Sequence, residues 1–218
     1  MANYSLAEID ALSRKACRGA GYSWGLAEDA GKAIRWLTAY GLPGAETLAE
    51  FLPLIQSDFT AYVPELKDTL SNNKSNQLCP IYCGAIINDQ GHLLLENRTL
   101  TFESMMFPLL SLGQAAKISE AYEMPIGVSF GGANIVCTRE SIKVIGNVDW
   151  RMQKTNVTCQ KTDADSISYS EQLFPSPLSR DVSADAIKVL ESFAHKTYAP
   201  ATEASRIAGA GAGLSDND

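Results

Sequence analysis

Arg35 and Arg206 carry the two guanidinium groups in this sequence whose surroundings best suit a small anion. A guanidinium presents a planar fork of donors that matches a carboxylate or phosphate. Arg206 follows Thr202 and Ser205, and it precedes Gly209, Gly211 and Gly213 at alternate positions. Glycine can turn backbone amides toward an anion, so this stretch offers hydroxyls, a fork and free amides within twelve residues. Arg35 lies on a run that begins Gly21-Tyr22-Ser23-Trp24, so Tyr22 and Trp24 stand at its entrance as aromatic walls. Glu28 is seven residues before Arg35 on the same run, and His195 is the one histidine near the carboxyl-terminal stretch. Either could move a proton, with Glu28 preferred. The full set describes a cofactor-free lyase, isomerase or hydrolase acting on a small anionic metabolite.

Each of these residues also has a plainer reading. Glu28, Lys32 and Arg35 at four- and seven-residue spacing form a ladder of exposed helix ion pairs. Tyr22, Trp24 and Trp36 serve equally well as core anchors. His195 near the end of a helix is favourably placed against the helix dipole without any chemistry. The segment from Thr202 to Asp218 is open to three readings: solvated, an arm laid on a neighbouring subunit, or folded back over the amino-terminal helices to close a pocket. The arm reading supports a second function, a non-catalytic accessory subunit or an oligomerisation protein. Either function is compatible with a homo-oligomer or a partner enzyme.

Metal and nucleotide chemistry have little support. Cys79-Pro80-Ile81-Tyr82-Cys83 spaces its thiols by three residues, Cys137 and Cys159 are isolated, and no histidine is nearby. A structural zinc site needs two close pairs, so no metal and no cofactor are expected and the cysteines read as small buried hydrophobes. The three glycines after Arg206 lack the preceding strand and following helix of a dinucleotide fingerprint.

Three elements must position the candidate groups. Leu6, Ile9, Leu12, Ala16 and Ala20 give a first helical stripe. Ser23 caps a second helix running to about Tyr40, where Gly41-Leu42-Pro43-Gly44 stops it. Ala27, Ala30, Gly31 and Ile34 form a narrow face of small residues on that helix, wide enough for another backbone, the carboxyl-terminal stretch being one candidate. A third helix runs from Ala45 to about Ile55. From Cys79 to about Thr162 the pattern changes to strands. Ile81–Ile87 and His92–Leu95 are expected to pair around the turn Asn88-Asp89-Gln90-Gly91, with a third strand over Met105–Leu110. A helix is expected over Gly113–Glu123. Short strands are expected over Ile126–Phe130, Asn134–Thr138, Ser141–Val148 and Val157–Lys161. Residues 163–182 read as loop, and Ser183 caps a last helix, Ala184 to about Tyr198. The order gives an α+β fold in one domain, 1–218: a helical subregion (1–56), a mostly antiparallel sheet with one crossing helix (79–162), then a carboxyl-terminal helix and docked glycine-rich tail (183–218).

Bulk properties limit the partners. The net charge is −7 over 218 residues, so no global basic field exists for a phosphate backbone, and nucleic acid is set aside. The residues after Met1 show no apolar signal region, and Ile126–Cys137 is too short to span a bilayer, so a cytoplasmic protein without membrane contact is expected. Five cysteines, an odd number at irregular spacing, agree with that compartment.

Two stretches, residues 18–28 (Arg18-Gly19-Ala20-Gly21-Tyr22-Ser23-Trp24-Gly25-Leu26-Ala27-Glu28) and the tail from Pro200 to Asp218, resemble a bacterial family of about 220 residues known as a domain of unknown function. The resemblance implies a bacterial, single-domain, cytosolic protein. It brings no activity, cofactor or catalytic residue with it.

Overall fold

The computed structural model describes residues 2–55, 59–65, 76–163, 169 and 171–198. A short strand β1 (Ala2–Tyr4) leads into α1 (Leu6–Gly19), α2 (Trp24–Ala39) and α3 (Gly44–Ile55). A 3-10 turn at Phe59–Tyr62 precedes α4 (Pro80–Asp89) and α5 (Gly91–Leu95). Strand β2 (Leu100–Met106), a second 3-10 turn (Pro108–Ser111) and α6 (Leu112–Ala121) follow. Then come β3 (Ile126–Phe130), β4 (Ala133–Cys137), β5 (Ile142–Ile145), β6 (Lys154–Lys161), β7 (Glu171–Leu173), β8 (Arg180–Val182) and α7 (Ala184–His195). The fold is α+β, as expected from the order of elements.

The helical region follows the sequence pattern closely. Ser5 and Glu8 form a reciprocal capping box at the start of α1. Ser23 caps α2 by accepting from Leu26 N–H. The small-residue face of α2 packs against α1 at Gly31, and the carboxyl-terminal stretch proposed for it lies outside the described residues. A Cβ on Gly31 would lie 3.0 Å from the Asp10 carbonyl oxygen of α1. Ala27, Ala30 and Ile34 are buried beside it. The other end of α1 abuts α7, where a Cβ on Gly19 would fall 1.8 Å from the Phe193 carbonyl.

The strands expected at Ile81–Ile87 and His92–Leu95 are helices instead, α4 and α5. Pro80 sits in the first turn of α4, where its missing N–H costs nothing and its fixed φ suits a helix. Ile81, Gly84 and Ile87 then recur every three residues on the buried side. A continuous apolar run carries no period of its own, so helix and strand look alike there. The third strand lies earlier than expected, at β2. Its alternation is broken by a register shift between Phe102 and Met105, with Ser104 at φ +52°, so Met105 and Met106 are both buried. Phe107, at φ +41°, then ends the strand.

The main sheet has the order β2-β6-β3-β4-β5-β7, and every pairing in it is antiparallel. Turns at Gly131-Gly132 and Arg139-Glu140 connect β3 to β4 and β4 to β5. Both glycines have positive φ, the conformation a two-residue hairpin requires. One face of the sheet (Phe102, Val128, Ile135, Val144, Val157) belongs to the core, and α6 crosses against β3 and β4. The region read as loop contains β7, which extends the sheet edge, and β8, which pairs with β1. Three-residue strands carry too little pattern to be seen in sequence. No helix among the described residues is long and apolar enough to cross a membrane.

Candidate functional site

The end of α2 and the segment after β7 form a recess around Arg35. Burial of Ala27, Ala30, Ile34 and Leu37 turns the opposite face of α2 outward. That outward face carries Glu28, Lys32 and Arg35. Lys32 Nζ lies 2.9 Å from Glu28 Oε1, one helical turn apart. Their hydrogen bond holds the Glu28 carboxyl below its ordinary value and raises the Lys32 ammonium. Arg35 is exposed, and no hydrogen bond or ion pair among the described residues engages it. Trp36, half-buried, packs against Tyr40 at a tilt of 43° with ring centroids 4.6 Å apart.

The opposite wall is Pro175-Ser176-Pro177, and it is fixed to the helix end. The Ala39 carbonyl accepts from Ser176 N–H (2.9 Å) and from Arg180 Nη2 (3.1 Å). Arg180 Nε also donates to the Thr38 carbonyl at 3.4 Å. These donors satisfy carbonyls that a helix C-terminus leaves free, and the guanidinium faces the negative end of the helix dipole. Two prolines restrict the segment further. Leu6 and Ala39 complete an opening of about 450 Å³. That is within the range of small-molecule sites, which are mostly apolar with a few placed polar groups.

The other residues singled out in sequence lie elsewhere. Tyr22 is wholly buried, its hydroxyl 3.1 Å from Cys79 Sγ and its ring 5.9 Å from Tyr82. Burial pushes its phenol well above the usual value. Trp24 is exposed at the first turn of α2, with the Arg18 guanidinium 5.2 Å from its ring centroid. Arg18 also donates to the Tyr22 carbonyl at 2.7 Å. At a rise of 1.5 Å per residue, Trp24 and Arg35 are about 16 Å apart along the helix. Tyr22 and Trp24 therefore do not share the Arg35 recess. His195 ends α7 and lines a separate opening of about 310 Å³ with Tyr4, Lys15 and Glu191. Its ring meets the edge of Tyr198 at 5.2 Å. Glu8, in the same opening, accepts from the Ser5 hydroxyl and Ser5 N–H and is held below the usual carboxylate range. Thr202, Ser205, Arg206, Gly209, Gly211 and Gly213 lie outside the described residues.

All five cysteines are buried and free. Cys79 sits at the entry to α4, and burial raises its thiol to about 11. No cluster of three His, Cys, Asp or Glu side chains placed to hold a metal ion occurs among the described residues. Sequence reasoning missed Arg180, Ser176 and the two prolines. Their role depends on a contact between positions some 140 apart in the chain, which local pattern does not report.

The geometry thus defines an α+β protein with a cationic, largely apolar recess on its second helix. Residues 4–81 match the model of a family described as a protein of unknown function (DUF3726). Of the two stretches on which the resemblance was expected, residues 18–28 fall within the match and Pro200–Asp218 fall outside it. The match covers α1 to α3 and the first residues of α4, including Glu28, Lys32, Arg35 and Trp36, and stops short of Pro175–Pro177. No curated protein matches the chain.

Proposed function

We propose that this chain binds a small anionic metabolite in the recess between α2 and Pro175–Pro177, as a cofactor-free enzyme of the lyase, isomerase or hydrolase type. The observation that carries the reading is Arg35: an exposed guanidinium without a described partner, beside Trp36, in an opening of small-molecule size. Arg35 would hold the anion through its fork. Lys32, held by Glu28 in an ion pair of little net charge, still lines the opening and can donate a hydrogen bond to the ligand. Glu28, paired with Lys32 and two helical turns from Arg35, stays ionised and would be the proton acceptor for a ligand that extends along α2 past Lys32. His195, in its own opening, has no part in this arrangement. The odd number of cysteines suits a cytoplasmic setting, and bacterial origin goes with the family resemblance.

Isothermal titration of the wild-type protein against small carboxylates and phosphates tests the binding step. At least one should bind saturably, and Arg35→Ala should weaken it about 10- to 100-fold, the worth of a charge-assisted hydrogen bond. Binding that Arg35→Ala leaves unchanged overturns the reading.

A second reading, an accessory subunit, rests on Phe174 and Leu178. They are 62% and 68% exposed on either side of the proline segment. Large apolar side chains so placed on a fixed loop suit a protein contact. Light scattering decides it: a dimer that Phe174→Ser with Leu178→Ser converts to monomer supports this reading, and a monomeric wild type counts against self-association.

A further inference from the structure

Resting on the proposed recess, we infer that its ligand is a monocarboxylate with an aromatic or branched apolar body, rather than a phosphate ester or a hydroxylated sugar acid. Three observations lead to this class.

The first is charge. Of the two cations at the rim, Lys32 is paired with Glu28 at 2.9 Å, so the two together add little net charge. Arg35 is the cation left without a described partner. One guanidinium fork matches one planar carboxylate. A phosphate dianion needs more donors than this rim offers. The negative end of the α2 dipole opposes any anion here, and it opposes a dianion more strongly than a monocarboxylate.

The second is the scarcity of free polar groups in the walls. The Ala39 carbonyl accepts from both Ser176 N–H and Arg180 Nη2, which occupies both of its lone pairs. Thr38, buried and outside the lining, has its carbonyl engaged by Arg180 Nε and its hydroxyl by the Ile34 carbonyl, so it offers the opening nothing further. Ser176 Oγ accepts from Leu178 N–H at 3.3 Å. A ligand rich in hydroxyls would give up its water here and find few partners in return.

The third is the apolar lining. Leu6, Trp36, Ala39, Pro175 and Pro177 offer surface whose burial against an apolar group is favourable. Trp36 is braced by Tyr40 and can take an aromatic ring face to edge.

The test is a titration panel read by calorimetry on the full-length protein. Phenylacetate, indole-3-acetate and 4-methylpentanoate represent the inferred class. Inorganic phosphate, glucose 6-phosphate and gluconate represent the excluded ones. The inference expects the first group to bind at least tenfold more tightly than the second. Arg35→Ala should lower affinity for the first group about 10- to 100-fold, and Arg35→Lys should recover part of it. Arg35 is exposed, so circular dichroism and thermal melting should show both variants folded as wild type. If a phosphate or gluconate binds more tightly and depends on Arg35, the ligand class is wrong while the recess stands. If no member of the panel binds in a manner that depends on Arg35, both the class and the recess are overturned.

Discussion

Arg35 is exposed and unengaged among the described residues, whereas the other polar groups around it are tied to partners. That contrast makes it the residue on which the proposed function rests. Its helix and its exposure were legible from the spacing of Glu28, Lys32 and Arg35. Tyr22 was not legible, because a tyrosine between Gly21 and Ser23 reads the same in a core as at a rim. Its hydroxyl ends on Cys79, which sequence placed on a strand. The buried thiols carry a prediction of their own. Burial raises Cys79 from 9.0 to about 11 and Cys159 from 9.0 to about 12. The fold therefore prefers the neutral thiol at both. Their contribution to stability is whole below pH 9 and is lost as pH rises from there through the folded values. Urea midpoints measured from pH 7 to 11 should hold steady at first and then fall above about 9. A midpoint that rises over the alkaline range contradicts this. Cysteine reagents at neutral pH should react slowly with the native chain and rapidly once it unfolds.

Close approach governs how the elements fit together. A Cβ on Gly113 of α6 would lie 2.6 Å from Ala33 Cβ and 2.7 Å from Ala33 Cα on α2. Neither atom is the end of a flexible side chain, so the helices must separate to accept a methyl. Gly113→Ala should cost about 1–3 kcal/mol by chemical denaturation, the usual penalty for overpacking. A neutral effect would mean that α2 and α6 have room to shift. Gly25→Ala is the control, since nothing lies within 4 Å of its added Cβ. Helices α1, α2, α3 and α7 were legible because their apolar residues keep a 3.6-residue period, and α6 from its good helix formers. Ser23 caps α2 as expected, whereas Ser183 stands at the start of α7 without a side-chain cap bond. Helices α4 and α5 were hidden by a run without periodicity. Strands β1 and β8 were hidden because three residues at opposite ends of the chain carry no alternation. The β1–β8 ribbon matters to the site, since it leads directly into Leu6 and brings Arg180 to the end of α2.

At the scale of the whole molecule, the recess joins parts of the chain far apart in sequence. Its cationic wall lies within residues 4–81, where the family match falls, and its proline wall lies outside them. The sequence therefore pointed to one wall of the proposed recess and did not show the other. It set Arg35 with Tyr22 and Trp24, which occupy the other end of α2, and with a carboxyl-terminal stretch outside the described residues. The net charge of −7 makes a single unengaged arginine the more conspicuous as an anion site. The central claim is that a small carboxylate seats between α2 and Pro175–Pro177. Amide chemical-shift mapping of the isotope-labelled protein during titration with phenylacetate tests it most directly. The account predicts saturable shifts at Arg35, the Trp36 indole, Ala39 and Ser176, all lost in Arg35→Ala. Shifts confined to the surroundings of His195 and Tyr198, or no saturable shift anywhere on α2, would contradict it.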